Sequence, residues 1–322
     1  GDDLISMLTR SVESIDEPRE IEIGRQLSAV LLGSKPLHPD MALQRYVNQL
    51  GRWISLQSER PGLPWTFIVL DDTGYNAFAA PGGYVFVTKG LVDRVRDEAE
   101  LAFVLGHETG HFTAQHSLRQ WRRMKDASAW LSAFQVVAYG AGAGGIAQLG
   151  MLAGYAAIFK YSRDMEREAD RLGFEGVVEH GWAPSAGADL WARMWREEQT
   201  RKYDRPLPVF STHPASQERL NDIKAEAAAI ADAPTDRGRD RYRAAVRPLL
   251  PKLLDAELGN RRYAGSILVI GELLADAPVE DKGLLTFYLG EAYRRRGLGD
   301  DKAKAASYYA RALALQRLLR ER

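Results

Sequence analysis

The run His107-Glu108-Thr109-Gly110-His111 constrains this chain more than any other feature. It falls inside a long helical pattern over about 91–123, with Leu101, Val104, Leu105 and Phe112 on its buried side. Residues four apart on a helix share a face, so both imidazoles can aim a nitrogen at one ion. Glu108 is rotated slightly aside, where it can reach a metal-bound water without being a ligand. Two imidazoles plus one carboxylate suit zinc, with the fourth position left for water at a catalytic site. Such a run can arise by chance on a solvated helix. Here Ala102-Phe103-Val104-Leu105-Gly106 just before it is apolar, which implies a buried helix where unpaired His and Glu would be costly.

A third ligand is available in Tyr161-Ser162-Arg163-Asp164-Met165-Glu166-Arg167-Glu168-Ala169-Asp170. Glu166 and Asp170 share a helical face. Glu166 can ligate while Asp170 accepts the free N–H of a ligand histidine and fixes its tautomer. Glu168 points elsewhere and reads as a surface or salt-bridged carboxylate. Of the other histidines, His38 and His180 sit in loop-like contexts and read as incidental. His116, five residues past His111, should face away from the metal and reads as structural. His213 precedes Pro214, which holds it extended and suits a rigid loop presenting an imidazole to the site; a surface position is the alternative.

Around this cluster, Trp65–Leu70, Asn76–Ala79 and Tyr84–Thr88 read as strands, with Pro81-Gly82-Gly83 as a turn. Two helices cover 17–56, with apolar stripes at Ile21, Leu27, Val30, Leu31 and at Leu43, Val47, Leu50, Ile54. Further helices are expected at 160–175, 184–200 and 215–231. Residues 127–159 carry no charge, but glycines, Gln135 and Gln148 interrupt them, which favours buried or site-covering helices over a transmembrane span. Lys+Arg and Asp+Glu number 43 each, so no basic footprint for nucleic acid exists, and the absence of Cys excludes thiolate ligands and a cysteine nucleophile. The chain starts at Gly1 without Met, as either a trimmed chain or a mature, processed one would.

The composition turns polar and loop-like at 232–238, which divides the chain into a domain carrying the metal cluster, 1–232, and a helical domain, 233–322. In the tail Leu289, Gly290, Tyr293, Gly297, Ala305, Tyr309 and Ala312 resemble a tetratricopeptide repeat, and 263–278 could be a helix of a degenerate preceding one. An ordinary helical hairpin would give a similar pattern.

Together these segments resemble the M48 family of metallopeptidases, particularly its soluble bacterial envelope members with tetratricopeptide repeats. The resemblance rests on Asn76-Ala77-Phe78-Ala79 with Pro81-Gly82-Gly83, on His107–His111, on Tyr161–Asp170, and on His213-Pro214 with Arg219. It implies an α+β gluzincin fold, mostly helical with a small sheet, and one Zn2+ per chain held by His107, His111 and Glu166. Glu108 would be the catalytic carboxylate. In envelope relatives the histidine matching His213 can reach the zinc and restrain activity. The resemblance also implies a periplasmic or envelope location and quality control of unfolded or misassembled proteins, with the helical tail meeting envelope assembly machinery.

The expected chemistry is peptide hydrolysis, in which Glu108 takes the water proton and returns it to the leaving amine. The oxyanion needs a second electrophile besides zinc, for which His213 and Arg219 are both candidates. Substrate would bind extended along the exposed strand region 76–88, with Asn76, Ala77, Phe78, Ala79, Gly82 and Gly83 as candidate contacts. A rival reading is a chaperone or binding module whose zinc is latent or structural, closed by His213 as fourth ligand. Glu108 separates the two, because a structural site has no need of that carboxylate.

Overall fold

The computed structural model describes residues 16–114, 116, 161–201, 209–210 and 213–321. The uncharged segment 127–159 lies outside the described residues, as do the start of the chain and the expected helical stretch from 117 to 123.

Two helices open the described chain, α1 (Glu17–Ser34) and α2 (Met41–Leu56). Asp40 starts α2 by accepting from the amide of Leu43 at 2.8 Å. Leu43, Val47, Leu50 and Ile54 then line its buried face, as the spacing predicts. In α1, Ile21 is half-buried, while the side chains of Leu27, Val30 and Leu31 are outside the described set.

Three strands follow: β1 (Thr66–Leu70), β2 (Ala77–Ala80) and β3 (Tyr84–Thr88). The sheet runs β1-β3-β2, with β1 parallel and β2 antiparallel to the central β3. Gly82 and Gly83 turn the β2–β3 hairpin at φ +85° and +90°, a region L side chains rarely adopt. The sheet's two edges are treated differently. On β1, Phe67 and Val69 donate their amides to Asn48 Oδ1 and Gln44 Oε1 of α2, each at 2.9 Å, so helix side chains cover that edge. The edge of β2 borders the site described below.

Instead of one long helix from 91, the chain forms α3 (Lys89–Arg94) and α4 (Glu98–Thr113). Val95 is extended, and the Asp97 carboxylate accepts from the amide of Glu100 at 2.9 Å, restarting the helix. Every residue of α4 from Glu98 to Phe112 is buried. A helix buried all round has no polar face, which is why apolar periodicity does not mark its start. Then come α5 (Arg163–Glu179), α6 (Ala186–Gln199) and α7 (Gln217–Ala228). Ser162 and Ser216 cap α5 and α7, accepting from Met165 and Arg219 amides.

The backbone separates into two compact units, one of residues 1–192 and 206–245 and one of 193–205 and 246–322. Residues 233–245, which composition assigns to the second domain, belong here to the first. The polar stretch is a clamp on the start of α4, where Arg237 meets buried Asp97 at 2.6 Å and buried Glu100 at 3.0 Å. Tyr242 in α8 (Arg239–Val246) donates its hydroxyl to Val92 O at 2.6 Å.

The second unit is wholly helical where described. It contains the end of α6 with α9 (Leu250–Gly259), α10 (Tyr263–Asp276), α11 (Val279–Arg296) and α12 (Asp301–Arg320). Its core gathers Leu254, Leu258, Ile270, Leu285, Tyr288 and Leu289. Small residues let α11 and α12 approach: Gly290 faces the Tyr309 ring, and Tyr293 stacks on Tyr308 at 5.5 Å. Among the described residues, no helix is long and apolar enough to cross a membrane.

Candidate metal centre

The centre is built where α4 and α5 cross. Their contact is made by glycines: a Cβ on Gly173 would lie 2.9 Å from His107 N and 3.1 Å from Phe103 O. Gly106 meets Gly173 from the other side. With no side chain between the backbones, the α5 carboxylates reach the α4 histidines. His107, His111, Glu166 and His213 each offer a ligand atom, and these atoms all lie within 4.8 Å of one another.

Glu166 is the hub. Its Oε2 lies 2.8 Å from His107 Nε2, and its Oε1 lies 3.2 Å from His111 Nε2 and 2.8 Å from His213 Nδ1. The other ring nitrogen of His213 is 3.1 Å from Glu108 Oε1 and donates to Ala77 O at 2.7 Å. His213 is thus buried in the centre rather than on the surface. Tyr161 lies flat against the His111 ring at 3.6 Å and donates its hydroxyl to Ala79 O at 3.4 Å. The carbonyls of β2 that face away from β3 therefore border the cluster.

Burial would drive Glu166 and Glu108 towards their neutral forms. The surrounding cations and imidazoles, His213 foremost, outweigh it and hold both carboxyls well below the usual carboxylate range. Burial likewise disfavours charge on His213, but Glu166 and Glu108 raise it well above the ordinary histidine value. For His111 burial wins and its pKa falls to about 3, leaving a neutral ring. Two buried atoms in this cluster lack any hydrogen-bond partner, His111 Nε2 and Glu108 Oε2. The 3.2 Å approach of Glu166 to His111 Nε2 is too poorly aimed to count as a hydrogen bond. A buried lone pair without a donor beside two imidazoles and a carboxylate fits a cation such as zinc.

Asp170 differs from its expected role. Both its oxygens grip the Arg219 guanidinium, one of them at 2.8 Å, and its nearest approach to a histidine is 3.3 Å to His107 Nε2. Arg219 in turn contacts Glu166 at 3.0 Å, donates to Pro214 O at 3.0 Å and lies over the Trp191 ring at 4.2 Å. These contacts make Arg219 a holder of Glu166 and of the His213 loop, and its Nη2 also lies 3.2 Å from His107 Nε2 at the centre. Of the expected substrate contacts, Ala77 and Ala79 border the cluster through their carbonyls. The Asn76 side chain accepts from the Ala77 amide, and Phe78 stacks on Phe86 in the core. Gly82 and Gly83 pack against Ile21 and Trp65.

One neighbour escaped the helical reasoning, while Glu168 is the salt-bridged carboxylate expected of it. His116 is fully buried, with Nδ1 2.8 Å from His111 Nδ1 and Nε2 2.7 Å from Glu168 Oε2. Extending the helix by five residues would turn His116 away from the metal. Thr113, however, ends α4, and the Ala114 amide closes the last turn onto Gly110 and Phe112 carbonyls, so that phase does not carry over. The sequence signal was the second histidine near a downstream carboxylate, and only the break in the helix made it usable.

Residues 41–227 match the family model described as peptidase family M48. The chain is 28% identical over 255 residues, 77% of its length, to the beta-barrel assembly-enhancing protease of Escherichia coli K12. It is 33% identical over 182 residues, 56% of its length, to the mitochondrial metalloendopeptidase OMA1 of Schizosaccharomyces pombe. These alignments cover 52% and 51% of the two relatives, so the chain spans about half the length of the proteins it matches.

Proposed function

Because the chain belongs to peptidase family M48, we propose that it is a zinc-dependent endopeptidase holding one Zn2+ through His107, His111 and Glu166. The observation that carries this reading is the pair of unpartnered buried atoms, His111 Nε2 and Glu108 Oε2, within one His/Glu cluster. When bound, zinc polarises a peptide carbonyl and lowers the pKa of its water from about 15.7 towards 7. Glu108, held ionised by His213 and His107, accepts the water proton and delivers it to the leaving amine nitrogen. Arg219, braced by Asp170 and Trp191, keeps the Glu166 carboxylate in place. An extended substrate pairs with the β2 edge through the Ala77 and Ala79 backbone.

His213 restrains the resting centre in this reading. Its ring stands between Glu108 and Glu166 and occupies Ala77 O, a carbonyl that a docking strand would use. Similarity to a beta-barrel assembly-enhancing protease supports a substrate class of unfolded or misassembled envelope proteins, met in the bacterial periplasm. The tail, 246–322 with the end of α6, serves as a tetratricopeptide-like module towards envelope assembly machinery. The four-residue cluster also supports a second reading, a chaperone whose zinc is closed structurally by His213.

Glu108→Gln separates the two readings. The amide keeps the shape but cannot take the proton, so proteolysis of an unfolded protein should cease while zinc stays bound stoichiometrically. Retained turnover would defeat the peptidase mechanism. Equal loss of zinc and activity would make Glu108 structural.

A further inference from the structure

His111 is held in two independent ways. Tyr161 lies parallel to its ring, 11° off plane at 3.6 Å, and so sets the plane. Within that plane the ring can still rotate, and the proton can sit on either nitrogen. Both are decided by His116, whose Nδ1 is 2.8 Å from His111 Nδ1. Two ring nitrogens at that distance share one proton. On the far side of His116, Nε2 lies 2.7 Å from a carboxylate oxygen of Glu168, which can only accept while ionised. The His116 proton therefore sits on Nε2. A neutral His116 then presents a bare Nδ1, which takes the N–H of His111 Nδ1. This leaves the lone pair of His111 on Nε2, the atom that has no hydrogen-bond partner and lies in the Glu166 cluster.

We propose that Glu168 and His116 are positioning residues, a carboxylate–imidazole pair that fixes the tautomer and rotation of His111 so that Nε2 is offered to the metal. The inference rests on the reading of His111 as a zinc ligand and goes beyond it, since neither residue touches the metal position. The route is economical in chain. α5 supplies Glu166 to the ion and, two residues on, Glu168 to His116, the outer partner of His111. Glu168 has a partly exposed side chain while His116 and His111 are fully buried, so the chain of hydrogen bonds runs from solvent to the centre.

The test is zinc affinity, measured by competition with a chromophoric chelator, on the full chain and on His116→Leu, His116→Gln and Glu168→Leu. Melting temperatures of the metal-free forms are recorded alongside. Outer partners of ligand histidines are typically worth 10–100-fold in affinity, so His116→Leu should lose roughly that much. His116→Gln should restore most of it, because its carboxamide oxygen accepts from His111 and its NH2 donates to Glu168. Glu168→Leu should lower affinity less than His116→Leu. The cobalt-loaded protein should show shifted visible bands with His116→Leu and native-like bands with His116→Gln. Unchanged affinity in His116→Leu would overturn the proposal, as would His116→Gln binding zinc no better than His116→Leu. If His116→Leu fails to fold, Glu168→Leu decides, and wild-type affinity there would overturn it. Wild-type protein that takes up no zinc would overturn the peptidase reading and this inference together. Zinc-binding wild type with indifferent variants would overturn this inference alone.

Discussion

Glu166 meets His107, His111, His213 and Arg219 at 2.8 to 3.2 Å, so one buried carboxylate balances four neighbours. Glu166→Gln keeps its shape and removes that balance together with the anionic ligand. Zinc affinity should fall more than the roughly 100-fold ceiling usual for an outer partner, readable by the same chelator competition. His213→Ala tests the restraining role. Basal proteolysis should rise with the zinc content intact, whereas loss of an oxyanion donor would lower the rate by roughly 10²–10³. His107 and His111 were legible in the sequence because helical spacing puts both on one face with Glu108 slightly aside, and Glu166 because it shares a face with Asp170 on a later helix. His213 was legible less directly, through the stiffening of its loop by Pro214. The partners of Asp170 and His116 were not. Arg219 arrives from a helix 49 residues beyond Asp170, and His116 follows a helix end that periodicity does not show.

At the scale of elements, the α4–α5 crossing positions the ligands, and Gly173 is its tightest point. A methyl group there meets only backbone, His107 N and Phe103 O, neither of which can swing aside. Gly173→Ala should therefore cost about 1–3 kcal/mol in urea unfolding of the metal-free protein and weaken zinc binding as the helices part. Gly176→Ala on the same helix is the control. Its new methyl group would lie 4.0 Å from Ile54 Cγ2, so it should be neutral or stabilise by about 0.4–1 kcal/mol. The strands were readable from the β-branched and aromatic runs at 66–70 and 84–88 and from the Pro-Gly-Gly turn between β2 and β3. The break between α3 and α4 was not, because flanking residues are buried on both sides and only the Asp97 cap marks it.

For the whole molecule, the expected boundary at 233 and the compact units make opposite forecasts. Ending the chain at 232 removes Arg237 and Arg239, the two cations that face buried Asp97, a loss of roughly 3–5 kcal/mol. Ending it at 245 keeps that clamp and the Tyr242 bond to Val92. The longer piece should unfold cooperatively and bind zinc, and the shorter should do neither, as urea titration and metal analysis will show. Polarity at 232–238 resembled a linker because ion pairs and solvated loops share a composition; only the partners distinguish them. The two sheet edges carry a separate consequence. The covered β1 edge leaves β2 as the strand bordering the centre, and what β2 offers there is main chain, the carbonyls of Ala77 and Ala79. Main chain is common to every polypeptide, so such a dock is nearly blind to residue identity. It does register whether amides are already engaged. A client whose strands have found their places has none to spare, while a stalled one does. An enzyme built this way would sort proteins by how far their folding has progressed, with no recognition sequence to read.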